Sequence, residues 1–148
     1  MIQIRRSAVV RHTPEQMFDL VNDVEAYPSH FSWCADAKVL GREGDSLTAR
    51  LDLRIGGIVQ GFTTRNTMTP PARLQLDLVE GPLRSLHGEW TFKALGEDGC
   101  RIALQLDFEY SGRLTGMVLR LGFHSLANRL VDDFCRVARR VHGGAHDG

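Results

Sequence analysis

The apolar residues of this chain recur with two different periods, and the switches between them divide it into elements. The opening "IQIRRSAVVR" is rich in β-branched residues and predicts a strand. The next residues, "HTPEQMFDLVNDV", carry a helix start. Thr13 suits the N-cap, Pro14 the first helical position, and Gln16 completes a capping box. Met17, Phe18, Val21 and Val24 then recur at helical spacing, so the helix has one apolar face and ends near Asn22 to Val24. The stretch "VEAYPSHFSWC" follows. It holds Tyr27, Phe31 and Trp33 and is broken by Pro28, which predicts a short second helix or turn.

Beyond Cys34 the period becomes two. In "LTARLDLRI", Leu47, Leu51, Leu53 and Ile55 face one way and Arg50, Asp52 and Arg54 the other. "VQGFTTRNTM" comes next, after a turn at Gly56-Gly57. Leu74, Leu76 and Leu78 share a face, as do Leu86, Trp90 and Phe92, and then Ile102, Leu104, Leu106, Phe108 and Tyr110. "GREGDS", "PPA" and "GEDG" are turns between the runs. Half-apolar strands joined by short turns predict an antiparallel sheet solvated on one face. The other face needs a cover, and the segment from Leu114 to about Val141 is the large element left to supply it.

That segment is helical in pattern. Phe123, Leu126, Ala127, Leu130, Val131, Phe134, Val137, Ala138 and Val141 form one stripe at 100° per residue. Arg129, Asp132, Asp133, Arg136, Arg139 and Arg140 lie opposite, with Asp132 four residues before Arg136. Leu114, Met117, Val118 and Leu121 form a second stripe pointing nearly the other way, so the phase changes at Gly122. Either the helix is broken there, or its first turns bury their apolar face against something other than the sheet; the explanations are a short preceding helix packed on a loop and a movable flap over a pocket.

Composition narrows the function classes. The 148 residues suit one domain with a real core, and 18 Lys+Arg balance 18 Asp+Glu, which argues against strong attraction to nucleic acid or anionic lipid by bulk charge. Three cysteines with no CxxC argue for reduced thiols in a cytoplasmic protein rather than a disulfide framework or zinc ribbon. No apolar run is long enough for a secretory signal or a transmembrane span; peripheral membrane contact stays open.

Four separated motifs, "VNDVEAYPSHFSWC", "FTTRNTM", "LVEGPLRSLHGEWTF" and "CRIALQLDFEYSGRL", closely resemble the bacterial RatA family. This is the polyketide cyclase/dehydrase-like group that includes the mitochondrial coenzyme Q-binding START proteins. The resemblance covers nearly the whole chain. It implies an α+β helix-grip fold of the START/Bet v 1-like type: a curved antiparallel sheet wrapped around a long C-terminal helix, with two short helices after the first strand. One domain over residues 1–142 is expected, with 143–148 a disordered tail. The resemblance further implies a non-enzymatic protein with a hydrophobic cavity between sheet and long helix. Eukaryotic relatives bind ubiquinone and support respiration, and some bacterial members bind the large ribosomal subunit and block subunit association. A bound ubiquinone or other isoprenoid lipid is therefore the expected ligand, with no cofactor required. The family motif reads roughly Tyr-Pro-x-Phe-Leu-Pro-x-Cys. Tyr27, Pro28 and Cys34 match it, whereas His30, Phe31 and Ser32 stand where Phe, Leu and Pro are usual.

In this architecture Tyr27, Phe31 and Trp33 are candidates for the cavity entrance, since aromatics give large contact area with some polar grip. The alternative is that they plug the end of the core. Leu53, Ile55, Phe62, Leu76, Trp90, Leu106, Phe108, Phe123, Leu126 and Leu130 are the candidate lining. Arg136, Arg139 and Arg140 are candidates for docking a partner such as ribosomal RNA through its phosphates, against a plain solvated face.

Chemistry beyond binding is thin. No G-x-S-x-G, HExxH, P-loop or dinucleotide fingerprint occurs. "HGGAH" spaces His142 and His146 by four, but its glycines make a poor helix, and no metal site is assigned. Asp107 and Glu109 share the polar face of their strand, which favours solvation over acid–base work. Cys34 lacks a basic sequence neighbour and suits a buried structural thiol. Three classes remain: a quinone- or lipid-binding protein, a ribosome-binding inhibitor of translation, and a cyclase-type enzyme.

Overall fold

The computed structural model describes residues 1–111 and 116–143. Strand β1 (Ile2–Val10) is followed by helix α1 (Pro14–Asn22), a 3-10 turn (Val24–Ala26) and the one-turn helix α2 (Tyr27–His30). Six strands then run in succession: β2 (Cys34–Glu43), β3 (Ser46–Ile55), β4 (Ile58–Thr69), β5 (Arg73–Glu80), β6 (Leu83–Leu95) and β7 (Gly99–Tyr110). Helix α3 (Met117–Val141) closes the fold. The strand order is β1-β7-β6-β5-β4-β3-β2, and every neighbouring pair is antiparallel. This is the α+β helix-grip arrangement: one curved sheet with α3 across its apolar face.

The start of α1 forms as its sequence dictates. Gln16 N–H donates to Thr13 Oγ1 at 3.1 Å, and Thr13 N–H donates to Gln16 Oε1 at 2.9 Å. Met17, Phe18, Leu20 and Val21 are buried beneath it. Along β7 the alternation is strict, with Ile102, Leu104, Leu106 and Phe108 all buried. Asp107 and Glu109 lie on the other face of that strand, where Gln105 and Ser85 reach them.

Helix α3 departs from the sequence expectation in three ways. It runs unbroken through Gly122, so the change of phase is not a break or hinge. A Cβ at Gly122 would sit 3.1 Å from both the Gly56 backbone nitrogen and Ile55 Cγ2. The glycine is what lets the helix approach the β3–β4 turn this closely. Met117, Val118 and Leu121 lie on the exposed side of the helix there; Leu114 lies outside the described residues. Second, Val141 is exposed rather than part of the buried stripe. Third, Asp133 is buried instead of solvated. It is Asp133, and not Asp132, that pairs with Arg136, at 2.9 Å, while Asp132 reaches across to Arg6 at 3.6 Å. Of the expected tail, residues 144–148 also lie outside the described residues.

Candidate functional site

Where α3 bridges the curved sheet it leaves a partly open cavity of about 110 Å³. Strands β3 to β7 supply the floor, because every second residue points the same way. From β3 come Ala49, Leu51 and Leu53, and from β4 come Phe62, Thr64 and Asn66. Leu74 and Leu76 of β5, Leu86 and Trp90 of β6, and Leu106 of β7 complete it. The roof is Phe123, Leu126, Ala127, Leu130 and Phe134 of α3, and one end is closed by Val21, Val24, Tyr27 and Trp33. The wall is thus apolar apart from Thr64 and Asn66.

Ten of the thirteen residues expected in the cavity and its entrance lie on this wall: Tyr27, Trp33, Leu53, Phe62, Leu76, Trp90, Leu106, Phe123, Leu126 and Leu130. Leu130 is only half-buried. Ile55, Phe108 and Phe31 are buried elsewhere in the core. Ile55 sits beneath Gly122, and Phe108 packs edge-on against Phe123 with ring centroids 5.0 Å apart.

The aromatic segment forms a plug and not an open mouth. Tyr27, Phe31 and Trp33 are all buried. Phe31 stacks on Trp33 at 4.6 Å and leans on Phe134 at 4.7 Å, while Tyr27 meets Phe134 edge-on at 5.4 Å. Such pairs prefer these stacked and edge-to-face arrangements. The polar atoms of the plug are committed. The Tyr27 hydroxyl donates to the Val21 carbonyl, and the Trp33 indole N–H donates to Asp133 Oδ2 at 2.9 Å. Burial drives the Tyr27 hydroxyl pKa far above its ordinary value, with Cys34 and Asp23 adding to the shift, so it stays protonated.

The thiols are poor nucleophiles for the same reason. Burial pushes Cys34 and Cys100 up to about 11, and Cys135 upward as well. Cys34 donates weakly to the Asp36 carbonyl at 3.3 Å. His30 and His87 lie away from the cavity, beside Arg140 at 3.3 Å and Asp77 at 2.6 Å. Among the described residues no cluster of His, Cys, Asp and Glu could hold a metal ion, and no helix is long and apolar enough to cross a membrane.

Arg136, Arg139 and Arg140 are exposed on the outer side of α3. They do not form a free basic cluster, since Arg136 is paired with Asp133 and Arg140 contacts His30.

Sequence reasoning missed Thr64 and Asn66. Both are buried, and the Thr64 hydroxyl donates to Asn66 Oδ1 at 2.8 Å. The signal was present in "GFTTRNT", where Phe62, Thr64 and Asn66 alternate onto one face.

An apolar cavity gripped between a curved sheet and a long helix is the architecture of START-type domains, and the comparisons agree. The family model described as "Polyketide cyclase / dehydrase and lipid transport" matches residues 10–135, and the chain belongs to that family. It is 42% identical over 140 residues to the "Ribosome association toxin RatA" of Pseudomonas aeruginosa, covering 95% of this chain and 97% of that one. It is 25% identical over 146 residues to "Coenzyme Q-binding protein COQ10 homolog B, mitochondrial" of Xenopus laevis, covering 96% of this chain and 60% of that one. Among solved structures, the Zhui aromatase/cyclase of Streptomyces sp. R1128 superposes with a TM-score of 0.84 at 16% identity, covering 97% of this chain and 98% of that one. A START superfamily protein of Mycobacterium smegmatis gives 0.79 at 23% identity, covering 94% and 98%. At these identities the structural likeness is one of fold.

Proposed function

We propose that this protein binds a hydrophobic small molecule in the helix-grip cavity without transforming it, and that the ligand class is a prenylquinone or related isoprenoid lipid. The observation that carries this reading is the cavity wall, apolar except at Thr64 and Asn66. The family's lipid-transport description and the coenzyme Q-binding relative support it. The void of about 110 Å³ suits a small ring. It falls short of the roughly 300 Å³ or more of a drug-sized pocket. A ring fits this space, while a long tail needs further room, through the partial opening or by α3 yielding from the sheet.

The wall's chemistry supports binding without turnover. Tyr27 is the ionisable side chain on it, and its hydroxyl is held protonated and bonded to Val21. Cyclase-type proton transfer needs an acid–base pair near the reacting atoms, and the described wall supplies none.

A second reading is association with the large ribosomal subunit, favoured by the 42% identity to a relative named for ribosome association. On this reading Arg139 and its neighbours Arg136 and Arg140 meet phosphates. One pair of assays separates the two. Titration with decylubiquinone, read by quenching of Trp33 and Trp90 fluorescence, should saturate and should be unmoved by Arg136→Glu, Arg139→Glu and Arg140→Glu together. Co-sedimentation with large subunits should be lost in that triple variant and should weaken steeply with salt if the second reading holds.

A further inference from the structure

The cavity holds one polar feature that generic apolar binding does not explain. Asn66 is 3% exposed, in the second half of β4, opposite Leu47 of β3 and Leu76 of β5. Two residues earlier on the same face, Thr64 donates its hydroxyl proton to Asn66 Oδ1 at 2.8 Å. That bond orients the amide. Its oxygen is taken by Thr64, so its N–H groups are what the side chain offers the cavity. Among the described residues the Asn66 side chain makes no hydrogen bond other than this one. Its nitrogen is not among the fully sealed polar atoms that lack a partner, so the N–H groups keep access to the cavity space, and a residue chosen for apolar packing alone would not present them there.

We propose that the Asn66 amide is the recognition point of the cavity, donating an N–H to a carbonyl oxygen on the ring of an otherwise apolar ligand. The inference rests on the cavity-binding reading above and narrows its ligand class to ring ketones and quinones. A plain hydrocarbon would leave the amide unpaired. A carboxylate or phosphate would enter a wall that carries no cationic side chain among the described residues, so its charge would go unpaired. A neutral acceptor on a ring satisfies both conditions. Thr64 is then a positioning residue, acting on the ligand through Asn66.

The test uses the full chain and two soluble compounds of nearly equal shape, acetophenone and ethylbenzene. They differ in the carbonyl oxygen. Binding is read by ligand-observed NMR titration of the wild type, Asn66→Leu and Thr64→Val, each first shown to be folded by circular dichroism. Asn66→Leu should weaken acetophenone by about tenfold, the worth of one buried hydrogen bond, while ethylbenzene binds as well or better. Thr64→Val should shift the acetophenone-to-ethylbenzene ratio the same way by a smaller factor. If both compounds bind and neither variant changes their ratio, the Asn66 inference is overturned and the cavity reading stands. A bound water satisfying the amide in every state would give that same result. If neither compound binds the wild type, the cavity reading itself fails and takes the inference with it.

Discussion

The indole nitrogen of Trp33 donates to Asp133 Oδ2 at 2.9 Å, joining the residue before β2 to the last helix across 100 residues of chain. The other carboxylate oxygen of Asp133 takes Arg136 at 2.9 Å. Asp133 thereby ties the aromatic plug to α3 and is buried because both its oxygens are satisfied. Asp133→Leu should destabilise the fold by about 1–3 kcal/mol, since it strands the Trp33 N–H in the core. Asp133→Asn, which keeps an acceptor, should cost less. Urea melts of the two variants check the order; equal costs would mean that the hydrogen bond to Trp33 does not matter.

Phe134 is the point where the plug meets the cavity roof. Its ring centroid lies 5.4 Å from Tyr27, 4.7 Å from Phe31 and 5.2 Å from Trp90. Phe134→Ala should cost about 3–5 kcal/mol, as large-to-small changes in an aromatic core do. Arg139→Ala, on the exposed side of the same helix, should fall within about 0.5 kcal/mol of wild type. Denaturant midpoints with unchanged slopes are the measurement.

Gly122 separates helix propensity from packing. Alanine would favour the helix by up to about 1 kcal/mol. Its Cβ, however, would stand 3.1 Å from the Gly56 nitrogen, a backbone atom in a tight turn. Gly122→Ala should therefore lower the melting temperature, and Gly122→Leu should lower it further. A rise in either would show that α3 does not press on the β3–β4 turn.

The thiols give the fold a pH dependence with a defined sign. Burial raises Cys34 and Cys100 from 9.0 to about 11. The unfolded chain therefore releases these protons at lower pH than the folded chain does. Their contribution is complete below pH 9 and is lost as pH climbs toward 11. The urea midpoint should fall over that range, and less so in a Cys34→Ala, Cys100→Ala variant. Indistinguishable pH profiles for the two proteins would refute the assignment.

Much of the fold was written in local pattern. The capping box at Thr13 and Gln16 and the alternation along β3, β5, β6 and β7 each follow from neighbours in sequence. Strand β2 was harder to see, because its register shifts between Cys34 and Asp36 and again between Val39 and Gly41, which breaks the period of two. The helical wheel put Asp133 on the solvent side, since a wheel knows nothing of Trp33, 100 residues away. The same limit applies to the plug. Three aromatics in one loop are equally compatible with an open mouth and a closed end until Phe134 is brought against them. Thr64 and Asn66 share the face of Phe62 by alternation, but polar residues within such a strand suggest its solvated face; the register with Leu47 and Leu76 puts Asn66 inside.

The most direct test of hydrophobic-ligand binding is mass spectrometry of an organic extract of the chain purified without detergent. It is compared with an Ala127→Leu variant, whose larger side chain takes up the void beside α3. Ala127 is buried on the cavity wall, so the substitution fills the site without touching the arginine face. The expected result is a prenylquinone or other isoprenoid near one per chain in the wild type and absent from the variant. An extract empty of any apolar molecule in the wild type, or the same molecule at the same amount in both proteins, would contradict it.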